Sequence, residues 1–65
     1  MRLIDVKAGE TVSLRGCLLT YKGSENGSAI FWDVRHGKTI VYGFDAAKVL
    51  LMQFGYNLME GSEKG

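Results

Sequence analysis

FWDVRHGKTIVY, Phe31 to Tyr42, holds the single tryptophan and the single histidine of a 65-residue chain. Apolar and aromatic residues flank a charged centre, which reads as two strands joined by a tight turn at His36-Gly37. Glycine accepts positive φ there, and histidine visits that region more readily than most residues. With His36-Gly37 as the whole loop, Arg35 faces Lys38, Val34 faces Thr39, Asp33 faces Ile40, Trp32 faces Val41 and Phe31 faces Tyr42. One face of the hairpin then carries Ile30, Trp32, Val34 and Val41. The other carries Phe31, Ile40, Tyr42 and a lone Asp33. Neither face is polar, and a sheet apolar on both sides requires a cover on both.

Upstream, MRLIDVKAGE predicts a short strand and a turn at Ala8-Gly9. TVSLRGCLLTY, Thr11 to Tyr21, predicts one long strand. Gly16 interrupts its alternation, as a bulge or bend does where a strand changes its buried face or curls round a small barrel. KGSENGS, Lys22 to Ser28, has no apolar residue and two glycines, and predicts a flexible loop able to bind.

Downstream, FDAAKVLLMQFGYNLME predicts a helix from an Asp45 N-cap to Met59, with Phe44 stapled against Val49. Ala47, Leu50, Leu51, Phe54 and Leu58 form its main apolar stripe at helical spacing. Val49, Met52, Tyr56 and Met59 form a second stripe, and almost no charge separates the two. A helix lying on one small sheet needs only one stripe. The second is therefore expected to meet another chain, which makes Val49, Met52, Tyr56 and Met59 the candidate oligomer interface. Gly55 in mid-helix costs about 1 kcal/mol against alanine, tolerable where two elements approach closely.

Composition limits the function classes. A chain this short hides only about 60% of its unfolded surface, so it needs an unusually efficient core, a cross-link or a partner. One cysteine excludes an internal disulfide, and no Cys/His spacing matches a structural zinc site. At 46% apolar and 23% charged residues, self-association is the favoured source of extra stability. A formal net charge of +1 argues against both a polybasic nucleic-acid tract and an acidic mimic. No run reaches membrane-spanning length, and MRLIDVK is too short and too charged for a signal peptide. A soluble cytoplasmic protein without a membrane partner is the expectation.

No motif carries chemistry. His36 has no second histidine and no cysteine at ligand spacing, so it reads as a turn residue. Asp33, Asp45 and Glu25 are scattered over strand, cap and loop. Cys17, beside Leu18 and Leu19, reads as a small buried hydrophobe. RHGKT lacks the glycine-rich strand-to-helix context of a phosphate loop. The sequence thus predicts no catalytic, metal or cofactor-binding residue, no cofactor and no enzyme. What remains is surface: Arg35, His36, Lys38, Arg15 and Lys22 flank the aromatics Phe31, Trp32 and Tyr42. Such a set suits a protein partner, or else stacks bases and holds phosphates of RNA or single-stranded DNA.

Together these readings predict one α+β domain over residues 1–60 and a flexible tail over 61–65. The domain is a strongly bent antiparallel sheet of about four strands, open or partly closed into a barrel, followed by one C-terminal helix. The expected function is that of a small non-enzymatic regulatory or accessory protein, acting by protein–protein interaction as a homo-oligomer. An RNA or single-stranded DNA binding module using residues 31–42 is the alternative, and a purely structural oligomeric subunit is a third reading.

Overall fold

A computed structural model describes residues 2–60 of the chain; the expected tail, 61–65, lies outside the described residues. The elements run β1 (Ile4–Val6), β2 (Thr11–Leu14), β3 (Cys17–Glu25), β4 (Ser28–Asp33), β5 (Lys38–Gly43), α1 (Phe44–Met52) and β6 (Tyr56–Leu58). The fold is α+β: β2, β3, β4 and β5 form an antiparallel sheet in chain order, and one helix follows. The sheet stays open, with β2 and β5 as its edges.

Two hairpins have turns that the sequence reading placed differently. The expected long strand Thr11–Tyr21 is a hairpin, with Leu14 paired to Cys17 around Arg15-Gly16. Both turn residues have positive φ, 53° and 85°, the signature of a type I′ turn whose twist matches the strands it joins. The expected flexible loop 22–28 is also hairpin: Glu25 pairs with Ser28 around Asn26-Gly27, at φ 52° and 78°. Lys22 is instead the extra residue of a β-bulge, because Tyr21 pairs with Phe31 and Gly23 with the adjacent Ile30.

The hairpin at residues 31–42 exists, but its loop is four residues, Val34 to Gly37, and Asp33 pairs with Lys38. Asp33 is the cause. Its Oδ1 accepts from the backbone N–H groups of Arg35 and His36, both at 3.1 Å, and its carbonyl accepts from the Gly37 N–H at 2.8 Å. A side chain that satisfies turn amides in this way favours turn over ladder, so Val34 and Arg35 leave the strand. Each β4 residue consequently meets a partner two positions earlier than expected, Trp32 with Thr39 and Phe31 with Ile40. An even shift leaves the faces unchanged, so the division into a Trp32 face and a Phe31 face holds.

The Phe31 face is the core. Val12, Leu14, Leu19, Tyr21, Ala29 and Phe31 pack against Ala47 and Leu51 of α1 and against Val6 and Leu58. Tyr21 and Phe31 meet with ring centroids 5.3 Å apart, and Tyr42 meets Phe31 edge-on at 6.0 Å.

The helix is shorter than its apolar pattern. It begins at Phe44, with Gly43 as N-cap and no side-chain cap, so Asp45 lies in the first turn and is not the N-cap. Phe44 packs on the core while Val49 is exposed, so the expected staple is not the contact that sets the entry. The helix ends at Met52, and Gly55 at φ 89° turns the chain out of it. Glycine there is a helix stop in the left-handed region, not a mid-helix defect. Tyr56–Leu58 then pairs parallel with Ile4–Val6. Leu58 still reaches the core, as its place in the apolar stripe implied, but on a strand.

Candidate interaction surface

The helix packs on the Phe31 face, and on the outer face Thr11, Trp32, Thr39 and Val41 are exposed, Thr20 and Ile30 half-buried and Gly23 buried. The central row of the outer face runs across all four strands as Thr11, Thr20, Trp32 and Thr39, each paired to the next. The Thr11 and Thr20 hydroxyls share a hydrogen bond at 2.8 Å. Gly23, Ile30 and Val41 form the row on one side, and Ser13 with Leu18 lies on the other. None of these nine residues is charged. Trp32 is 41% exposed, Val41 58% and Leu18 37%. An antiparallel sheet with a solvated face ordinarily sets polar and charged residues there; this one sets its only tryptophan.

One end of the sheet gathers the cations. The Arg15-Gly16 turn and the 34–37 turn lie side by side, tied by a 2.9 Å hydrogen bond from Arg35 Nη1 to the Gly16 carbonyl. Arg15, Gly16, Cys17, Asp33, Arg35 and His36 line a shallow depression of about 510 Å³ between them. Lys38 starts β5 at the same end. Arg15 holds left-handed backbone, unfavourable for a side chain with a Cβ, and its guanidinium stands 5.8 Å from the Phe54 ring centroid. Lys22 is apart from this group: the bulge places it five residues along β3 from Cys17, roughly 17 Å at strand rise.

Asp33 is the acid of this end and is 7% exposed. Burial pushes its carboxyl up, but the backbone N–H and imidazole of His36, the His36 charge and the Arg35 N–H together outweigh that and hold it below the usual value. His36 is a turn residue, as its sequence context implied, and its Nδ1 lies 3.0 Å from Asp33 Oδ2. Cys17, expected to be buried, is exposed: it opens β3 on the rim of this depression. Thiol, imidazole and carboxylate thus share one hollow, yet no hydrogen bond joins Cys17 to His36, the contact that nucleophile activation requires. Among the described residues no group of three or more His, Cys, Asp or Glu is placed to hold a metal ion, and no helix is long and apolar enough to cross a membrane.

The expected oligomer stripe is divided by the early helix end. Val49 and Met52 lie on α1 and are 57% and 45% exposed. Tyr56 is on β6 and packs partly against the core, and Met59 follows that strand. These four residues therefore do not form one helical face. No family model matches the chain, and no curated protein or solved structure matches it either.

Proposed function

We propose that this chain is a small regulatory or accessory protein that works without catalysis, by taking a protein partner onto the outer face of its sheet as a homo-oligomer. The observation behind this reading is Trp32, 41% exposed, whose own row and the two rows beside it carry no charge. Tryptophan contributes more than most residues when it enters a partner's pocket, and interface centres are depleted of charge. The open sheet leaves that role to another molecule. Trp32 is the sole tryptophan, so its fluorescence reports on the face directly. A partner on this face shifts the emission to shorter wavelength and shields it from acrylamide, and the complex persists in high salt. Trp32→Thr, which extends the threonine row, is expected to abolish binding while leaving the fold intact. Partner binding that survives this substitution would sink the reading.

A second reading follows from the basic end of the sheet. Arg15, Arg35, His36 and Lys38 adjoin the row that carries Trp32, an arrangement suited to stacking one base of RNA or single-stranded DNA and holding its phosphates. Three phosphate contacts give a salt slope of about −2, or roughly a 20-fold loss of affinity from 50 to 200 mM salt. Arg35→Ala and Lys38→Ala each reduce that slope. Oligonucleotide binding measured across salt separates this reading from a protein partner held by apolar contact.

A further inference from the structure

The free edge of β5 has a geometry that fits a second copy of itself. The Phe44 N–H donates to the Gly27 carbonyl at 2.8 Å, immediately beyond the Ser28–Gly43 pair. In an antiparallel ladder that bond fixes the phase: Ser28–Gly43 is a non-bonded pair, while Ala29–Tyr42, Phe31–Ile40 and Asp33–Lys38 exchange hydrogen bonds. The neighbouring ladder agrees. The Val34 N–H donates to the Leu18 carbonyl at 3.0 Å, beside Leu19–Asp33, which turns the Trp32 backbone toward β3 and the Asp33 backbone toward β5. The backbone groups of Thr39 and Val41 and the Gly43 N–H therefore point away from β4, and no described strand receives them, while the Gly43 carbonyl, at the N-cap, accepts the first bond of α1.

Sheet edges are ordinarily blunted by charge, proline, a bulge or a short strand. β5 is six regular residues, five of them exposed, with one charge at its start, and the chain contains no proline. The opposite edge, β2, has four residues.

We propose that two copies pair β5 with β5, antiparallel, about a two-fold axis normal to the sheet and midway between the two Val41 residues. This deepens the reading of an oligomeric binding protein, since it extends the outer face into one eight-stranded surface bearing two Trp32 side chains. The axis position follows from matching. The residue beside such an axis faces its own copy, and rotation about the sheet normal keeps both outer faces on the same side. With Val41 there, Thr39 meets Gly43 of the second copy: the Val41 groups, the Thr39 carbonyl and the Gly43 N–H are bonded, and the Thr39 N–H shares a Gly43 carbonyl that also accepts from α1. An axis at Ile40 would instead set Gly43 against Gly37, in the turn. Charge agrees with the same register: Lys38 falls opposite Phe44 and beside Asp45 of the second copy, at both ends of the ladder. Within one chain Lys38 and Asp45 lie at opposite ends of β5, and neither has an ion-pair partner among the described residues. A symmetric strand pair answers the same surface on both molecules at once.

Sedimentation of the full chain at micromolar concentration is expected to give a dimer. Val41→Pro removes a donor that no strand of its own chain uses, so it is expected to give a folded monomer with unchanged far-ultraviolet circular dichroism. Ile40→Pro, which removes the bond to Phe31, is expected to unfold the chain. Val41→Lys sets like charges across the axis and dissociates the dimer without any backbone change. Lys38→Glu weakens the dimer about tenfold, and adding Asp45→Lys restores it. A monomeric wild type would overturn the proposal. So would a dimer that survives both Val41 variants, or one that Met52→Lys dissociates while Val41→Lys does not, since the contact would then be on the helix side. Loss of partner binding in Trp32→Thr with the dimer intact supports the division of roles. A monomer that still binds its partner through Trp32 defeats the pairing of β5 and the homo-oligomer, and leaves the partner-binding face standing.

Discussion

The Asp33 carboxylate accepts from the backbone N–H of His36 at 3.1 Å and lies 3.0 Å from its imidazole. One aspartate thereby ends a strand, fixes a four-residue turn and sets the register of the hairpin. Because these bonds hold its folded value below the usual one, its stabilisation is present above about 3.8 and is lost as pH falls through the folded value. Melting wild type and Asp33→Ala between pH 7 and pH 2 is expected to show the wild type higher at neutral pH and the two converging in acid. A constant gap would show that the charge on Asp33 contributes nothing.

Leu51 and Met52 are neighbours with opposite fates, 1% and 45% exposed. Leu51→Ala removes about 2–5 kcal/mol, as much as a core of this size supplies in total, about 3–5 kcal/mol. It is expected to unfold the chain at 25 °C. Met52→Lys is expected to change stability by less than about 1 kcal/mol. Urea titration followed by circular dichroism distinguishes them, and equal loss in both would contradict the inward and outward assignment.

Gly27 sits at φ +78° with nothing within 4 Å of where a Cβ would stand. Gly27→Ala therefore meets no clash, and its penalty is backbone strain alone, about 1–2 kcal/mol. In a domain this small that lowers the melting temperature by roughly 5–15 °C. A change under 2 °C would mean the turn relaxes to another type.

Tyr21, fully buried, donates its hydroxyl to the Met59 carbonyl at 3.0 Å and so ties the sheet to the segment after β6. Tyr21→Phe is expected to cost about 1 kcal/mol. Burial raises the phenol above its ordinary 10.0; Ser24 opposes that and the charge of Glu60 adds to it. The stabilising effect of keeping it neutral is full below about 10 and is lost as pH rises through the folded value. Alkaline melts should lose stability in wild type sooner than in Tyr21→Phe.

How much of this was legible beforehand depends on the range of the interaction that decides each element. The hairpin faces, the sheet with one helix, and the core set Ala47, Leu51 and Leu58 follow from periodicity, which is local. Asn26-Gly27 was equally local: Asn-Gly is the strongest two-residue hairpin signal, but counting polar residues over 22–28 concealed it. Arg15-Gly16 gave no such signal, because arginine has no intrinsic preference for the left-handed region. The end of the helix has a local mark in Gly55, which the apolar spacing concealed, but the strand after it depends on distant residues. Met52 to Met59 keep helical spacing, and the partner that holds Tyr56–Leu58 extended, Ile4–Val6, lies some fifty residues earlier. The basic end was legible as a list of residues but not as a place: hairpin tips collected Arg15, Arg35, His36 and Lys38, and a bulge carried Lys22 away.

The parallel pairing of Ile4–Val6 with Tyr56–Leu58 also bears on how the chain comes to be folded. Its two partners are some fifty residues apart, so their contact closes the largest loop among the described residues and is expected late in folding. During synthesis the sheet can form early, but Val6 and Leu58 cannot seal the core until the final strand has left the ribosome. Until then the inner face lacks the contacts of Val6 and Leu58, a state in which a waiting partner, or a second nascent copy, could engage it first.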